Sequence, residues 1–367
     1  MSVPTSVPTS VPTSVSAPGI TADATGNGAT PVPELGPGVP IVPQVTAKPV
    51  APVGLSYDTT VPRTLVHRSS VAEVFVTDSK QTGEDAFAVA AQLPRGHLIG
   101  EGPLYDFTLL LEVVRQAGVL AAHRHLDVPL ASAFILSDLS LRTLGFDPLR
   151  IGTKPADVAM SLDARPKRNR AGRVQGFSFT GDIHVDGEPA LIGQGGLLIV
   201  SKAAYRVLRS KRLVPDHPGW LLPRFSPASP AAVGRRDERN VFITDPVSES
   251  DHREFFAQLV VDTSHPHMFD HPLDHVPGHL QVEAARQLAI ASVARLHGLD
   301  PYSLAVASIT TSFTDYTELD QITRLRATVA GFQWDEQLGT FTVPVAVEAL
   351  QEGRTTTALR LEVAQWR

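Results

Sequence analysis

Among its 367 residues the chain has no cysteine. That absence removes disulfides, thiolate nucleophiles and Cys-ligated zinc together, and it suits a reducing compartment. Long apolar runs are missing too. No stretch reaches the roughly 18 residues that a membrane span requires. There is no basic excess either: 32 Lys and Arg against 38 Asp and Glu leave a net charge of −6, which gives no reason to expect nucleic-acid binding. The opening "MSVPTSVPTSVPTSVSAPG" lacks both a basic leader and an apolar core, so a secretory signal is not expected and a cytoplasmic location is. G-x-S-x-G and H-E-x-x-H are absent as well, which removes the common serine-hydrolase and zinc-protease signatures.

The first 60 residues are rich in Pro, Val, Thr, Gly and Ser, with few charges and almost no aromatics. Such a segment buries too little apolar surface to offset its ordering entropy and is expected to be a disordered tail. The Pro-dense stretch 212–233 reads as a linker between domains at 61–211 and 234–367. Those two halves repeat one another. "HRSSVAEVFVTD" (His67–Asp78) matches "RRDERNVFITD" (Arg235–Asp245), and "EGPLYDFTLLLEVVRQAGVLAAHRHLD" matches "DHPLDHVPGHLQVEAARQLAIASVARLHGLD". Strand-like runs then close each half, so the chain is an internal duplication. Leu109–His125 and His279–His297 are apolar on most faces and read as buried helices, the first about 25 Å long at 1.5 Å per residue. Each is followed by consecutive strands, so each half is expected to wrap an antiparallel sheet around one central helix, and the tandem to form a pseudo-dimer.

On each buried helix sits an acid and a base. Glu112 and Arg115 occupy the first, Glu283 and Arg286 the second, at i, i+3 spacing that places both side chains on one face. The pair is costly in an apolar setting unless it is matched or used. A histidine-rich loop precedes the second helix: His265, His267, His271, His275 and His279. Pro266, Pro272 and Pro277 interrupt the four-residue spacing, so no helix lines these residues up as metal ligands, and no metal is expected. Pro277 and Gly278 turn the backbone into the helix, whose first N–H groups form a ready site for a carbonyl oxygen.

The string "FDHPLDHVPGHLQVEAARQ", with Pro277, Gly278, Glu283, Ala284 and Gln287, resembles the helix entry of hotdog-fold acyl-carrier-protein dehydratases. More closely it resembles the A-factor biosynthesis proteins, which make γ-butyrolactone signals in filamentous bacteria. The resemblance runs from about residue 61 to the end, with "LLEVVRQAG" supporting it in the first half. It implies an α+β fold of two tandem hotdog domains. It also implies transfer of a β-ketoacyl chain from acyl-carrier protein to a hydroxyl of dihydroxyacetone phosphate, with Glu112, Arg115, Glu283 and Arg286 as catalytic residues. His271 stands nearest to the dehydratase histidine, but the spacing to Pro277 is about two residues shorter than in those enzymes, so dehydratase chemistry is not carried over. The first half has Gly102 where that histidine would fall and lacks the Pro-Gly turn, which suggests the weaker site.

Together these readings give a mechanism without a cofactor or covalent intermediate. Glu283 takes the proton of the attacking hydroxyl or orients it, the N–H groups at Gly278 and His279 polarise the thioester, and Arg286 or Arg115 holds the phosphate or the glutamate. His271, His275 and Gln287 complete the substrate-binding set. The basic runs Ala164–Arg173 and Lys202–Arg212 are either solvated surfaces or a docking face for acidic acyl-carrier protein; "IGQGG" (Ile192–Gly196) has a strand setting and is no dinucleotide loop. A hotdog thioesterase or dehydratase, or a non-catalytic protein binding a signal lactone, are the alternative functions.

Overall fold

The computed structural model describes residues 47–48, 54–210, 223–248 and 253–366. Most of the tail read at 1–60 and half of the linker read at 212–233 lie outside them. The first half contributes β1 (Val76–Gly83), β2 (Ala86–Leu93), α1 (Phe107–His125), β3 (Ala133–Thr143), β4 (Ala156–Arg168), β5 (Val174–Val185), β6 (Glu188–Val200) and α2 (Lys202–Arg209). The second contributes β7 (Val247–Ser248), β8 (Glu254–Gln258), α3 (Gly278–His297), β9 (Leu304–Phe313), β10 (Arg324–Val329), β11 (Gln333–Asp335), β12 (Thr340–Gln351) and β13 (Arg354–Gln365). All strands belong to one sheet, ordered β1-β2-β4-β5-β6-β3-β9-β13-β12-β10-β8-β7, with β11 flanking β12. Read outward from its centre, that order is the same in both directions, which is the duplication expressed in hydrogen bonds.

At the centre β3 and β9 pair antiparallel, Leu139 opposite Thr311 and Ser140 opposite Thr310. A pseudo-two-fold axis passes between those pairs. The apolar residues of α1 and α3 fill the concave side: Leu109, Leu120, Leu280 and Leu288 are all but inaccessible, along with Phe87, Phe177 and Phe242. Neither helix has the narrow stripe of a surface helix, because the sheet encloses each on several sides. Asp106 caps α1 by accepting from the Thr108 N–H at 2.8 Å, and Gly298, at φ 65°, ends α3 in a left-handed turn that a side chain would strain. The glycines of "IGQGG" serve packing: a Cβ on Gly193 would stand 2.7 Å from Leu141 Cδ2. No helix among the described residues is long and apolar enough to cross a membrane.

A buried ion cluster fastens the seam. Arg142 on β3 donates to Asp335 at 2.5 Å and to Glu362 at 3.0 Å, both in the second half. Replacing Arg142 by Met is expected to leave these acids without their cation and to cost about 3–5 kcal/mol in denaturant unfolding. The same change at Arg326, whose bridge to Glu348 is largely exposed, is expected to cost about 1 kcal/mol or less.

Candidate active site

Glu283 is wholly enclosed and its carboxylate is saturated with donors. Arg286 approaches sideways, Nε to Oε2 and Nη2 to Oε1, both at 2.8 Å. Arg235 donates from Nε at 3.0 Å and brings Nη2 to 2.7 Å. Gln287 adds a bond at 2.7 Å, and Thr108 reaches across from α1 at 2.9 Å. Glu112 repeats the arrangement. Arg115 donates twice at 2.8 Å, Gln116 once at 2.6 Å, and Arg68 contributes Nε at 2.7 Å and Nη2 at 2.5 Å. Here His279 takes the place of Thr108, with Nδ1 3.5 Å from Glu112 Oε2. Burial on its own would raise both carboxyls, yet Arg235 and Arg286 hold Glu283, and Arg115 and Arg68 hold Glu112, well below the usual range.

These contacts revise the sequence reading at several residues. A carboxylate with no exposed surface, clamped by two guanidiniums, is a poor proton acceptor; Glu283 anchors the arginines instead. Arg115 holds Glu112 and not Glu283. Gln287 accepts from the Phe242 N–H and donates to the Asn240 carbonyl, tying α3 to the turn before it. The Phe313 ring covers Gly278 so closely that a Cβ there would stand 3.0 Å from it, so that glycine is needed for packing.

The histidine loop also lies elsewhere than expected. α1 and α3 pack with opposed directions across the pseudo-axis, so each helix start meets the carboxylate of the other helix. His279 therefore faces Glu112, although Glu283 is only one turn away along its own helix. His267 lies behind it, 3.3 Å from His279 and 2.7 Å from Glu73. His271 is part-exposed and pairs with Asp270, 3.2 Å away. His275 lies apart, against Asp274 and Tyr316, and Pro277 immediately precedes α3. Asp274 in turn holds Arg209 of α2, which also bonds Glu318 twice. Arg209 of that basic run is thus internal and not on a docking surface. The first half, expected to be the weaker site, is the one that the histidines complete.

Sequence reasoning missed Arg68 and Arg235, though both stand at the same place in the matched segments, next to His67 and Gly234. Each follows a left-handed residue, His67 at φ 52° and Gly234 at φ 69°. Each turn is pinned by an acid from the other half: Asp270 accepts from the N–H groups of Ser69 and Ser70 at 2.6 and 2.8 Å, and Glu101 from those of Arg236 and Asp237.

Beside the arginines that clamp Glu283 lies a cleft open to solvent. Arg286, Arg235, Arg236, Glu101 and Asp106 line it together with apolar side chains that include Leu104, Phe107, Leu110 and Trp366. Gly102, Gly234 and Ala305 also line it. At the matching positions of the Glu112 side stand His271, His67 and Phe134, and there His67 and His123 cluster around Phe134 at ring distances of 5.1 Å. Small residues open the one side and rings fill the other. Glu73, His97 and His267 bring one polar atom each within 4.8 Å of one another. Glu73 Oε1 lies 3.3 Å from His97 Nε2, and Glu73 Oε2 lies 2.7 Å from His267 Nδ1.

Burial and neighbouring His123 and Arg115 push His67 down to about 4, and burial with His267 does the same to His265. A histidine lowered on folding gives stability that is whole above its unfolded value and lost as pH falls, because the unfolded chain then binds more protons. The melting temperature is expected to fall between about pH 6.5 and pH 4, and His67→Phe to flatten part of that slope. A melting temperature constant over the window would show that these rings are not lowered on folding.

Comparison with known proteins agrees with this duplicated geometry. The family model described as the A-factor biosynthesis hotdog domain matches twice, at residues 54–200 and 221–364. A "2-oxo-3-(phosphooxy)propyl 3-oxoalkanoate synthase" of Streptomyces virginiae is 34% identical over 265 residues, covering 71% of this chain and 85% of that protein. The synthase of the same name from Streptomyces griseus is 30% identical over 313 residues, covering 84% and 94%. With both repeats matched, and each half of the sheet wrapped around its own buried helix, the chain belongs to the A-factor biosynthesis hotdog family.

Proposed function

We propose that the chain is an acyltransferase that joins a 3-oxoacyl group to the hydroxyl of dihydroxyacetone phosphate, with the acyl group delivered as an acyl-carrier-protein thioester. The relatives' printed name describes the ester that such a transfer makes. The observation that carries the reading is the cleft, lined by apolar side chains and by Arg286 and Arg235, the two arginines that clamp Glu283. An aliphatic chain fits the walls. The thioester and keto oxygens fit the arginine end, where fixed cations stabilise the charge that develops as the carbonyl is attacked. Arg236 at the rim suits the phosphate.

In the transfer the acceptor oxygen bonds to the thioester carbon, the carbon–sulfur bond breaks, and the hydroxyl proton ends on the departing thiol. Glu283 contributes by fixing the direction of Arg286 and Arg235, as a positioning residue. The remaining arginines and lysines of Ala164–Arg173 and Lys202–Arg206 supply positive charge suited to an acidic carrier protein.

Mass spectrometry of a 3-oxoacyl carrier protein incubated with the chain and dihydroxyacetone phosphate is expected to show the phosphorylated ester. Free 3-oxo acid in its place would make the chain a thioesterase, and no turnover at any chain length would favour a lactone-binding protein. Arg286→Lys keeps the charge but loses the two-pronged geometry, and is expected to lower kcat/KM by about 10²-fold. Ala305→Phe, which copies the first half's Phe134 into the cleft, is expected to abolish turnover of long chains while the melting temperature holds.

A further inference from the structure

Acyl transfer to an alcohol leaves one task without a residue. As the acceptor oxygen bonds to the thioester carbon, its proton needs a base on the way to the departing sulfur. Glu283 is closed off from it, with no exposed surface and two guanidiniums in place. Among the described residues that line the cleft there is no histidine, and the only carboxylates are Glu101 and Asp106. The tyrosines are engaged or enclosed: Tyr302 donates its hydroxyl to the Arg235 carbonyl at 2.8 Å, and the Tyr105 hydroxyl is buried.

Glu101 is occupied by the turn it holds. Its Oε2 accepts from the N–H groups of Arg236 and Asp237, and its Oε1 from Asn240 Nδ2. Asp106 is placed differently. Oδ1 accepts from the Thr108 N–H at 2.8 Å, and Oδ2 from Arg235 Nη1 at 2.6 Å. A carboxylate oxygen accepts two hydrogen bonds, so each keeps a lone pair. The side chain is 12% exposed, against none for Glu283. Arg235 also joins it to the cluster, because the same guanidinium reaches Glu283, and Glu283 reaches Arg286. The acid therefore stands beside the arginines, and the charge next to it is already shared with a second carboxylate.

The duplication supplies an independent comparison. Asp106 is the residue just before α1 and Pro277 the residue just before α3, each the same distance ahead of its helix's glutamate. Each helix start meets the carboxylate of the other helix, so Asp106 falls on the Glu283 side and Pro277 on the Glu112 side. The side with the cleft has a proton acceptor at this place, and the side filled by rings has none. Capping alone does not require the acid, since α3 begins without a side-chain cap.

We propose, resting on the acyl-transfer reading, that Asp106 is the catalytic residue that takes the proton of the attacking hydroxyl. The hydroxyl donates to a free lone pair of Asp106 as it approaches the carbonyl. While the carbon–oxygen bond forms, the proton passes to the carboxylate. When the carbon–sulfur bond breaks, the proton goes on to the sulfur, and the carboxylate is restored. Arg235 and the Thr108 N–H hold the acid in position for both transfers.

Asp106→Asn tests this, because asparagine caps a helix about as well as aspartate and its amide takes up no proton near neutral pH. Ester formation with dihydroxyacetone phosphate is expected to fall by about 10²- to 10⁴-fold in kcat, with the KM for the 3-oxoacyl carrier protein little changed. Asp106→Ser, which also caps well, is expected to behave alike. Hydroxylamine serves as the second acceptor: it attacks thioesters without a base, so its enzyme-dependent acylation is expected to survive in both variants. Equal loss with the two acceptors would overturn the proposal, since the change would then act through Arg235. Variants that form the ester at the wild-type rate would overturn it too. If the unaltered chain acylates neither acceptor, the acyl-transfer reading itself falls, and this assignment with it.

Discussion

A carboxylate removed from water must be matched by charge of the opposite sign, and this chain buries two of them on the central helices of its sheet. Each is matched by two arginines. One comes from the next turn of the same helix and the other from a left-handed turn that precedes the glutamate by more than forty residues. The turn that carries that second arginine is held by Asp270 or Glu101, which belong to the opposite half. The helix pair, the turns and the loops between sheet and helix are thereby fixed as one unit around two charges. Removing Glu112 would leave Arg68 and Arg115 without their carboxylate, and removing Glu283 would leave Arg286 without its own while Arg235 kept Asp106 at 2.6 Å; either loss costs far more than an ordinary surface contact.

Much of this was legible in the sequence because the signals are local and doubled. The i, i+3 acid and arginine on an apolar helix, the repeated segments and the short strands all survive without knowledge of the third dimension. Which half a loop serves did not. His279 lies one helical turn from Glu283, and along the chain that nearness suggests a common site; the opposed packing of α1 and α3 sends the two side chains to different carboxylates. Arg68 and Arg235 were missed for a related reason. In the sequence they are members of short polar turns, and their role depends on long-range packing that brings those turns onto the helices. The cleft was hidden as well, since it is made by what Gly102, Gly234 and Ala305 leave out.

The two sides of the pseudo-axis differ in kind. Beside Glu283 there is room, apolar wall and fixed positive charge; beside Glu112 there are packed rings and a file of imidazoles. Both retain the same clamp, so the framework is common and the difference lies in the residues facing it.

The continuous pairing of β3 with β9 has a consequence for how such a division could arise. In a dimer of identical subunits, every substitution is made on both sides of the axis at once, so a histidine that improves one pocket also obstructs the other. Once a covalent chain carries both copies across an unbroken sheet, that coupling between sites is released. Glycine can settle on one side of the axis and histidine on the other, and neither site has to compromise for its twin.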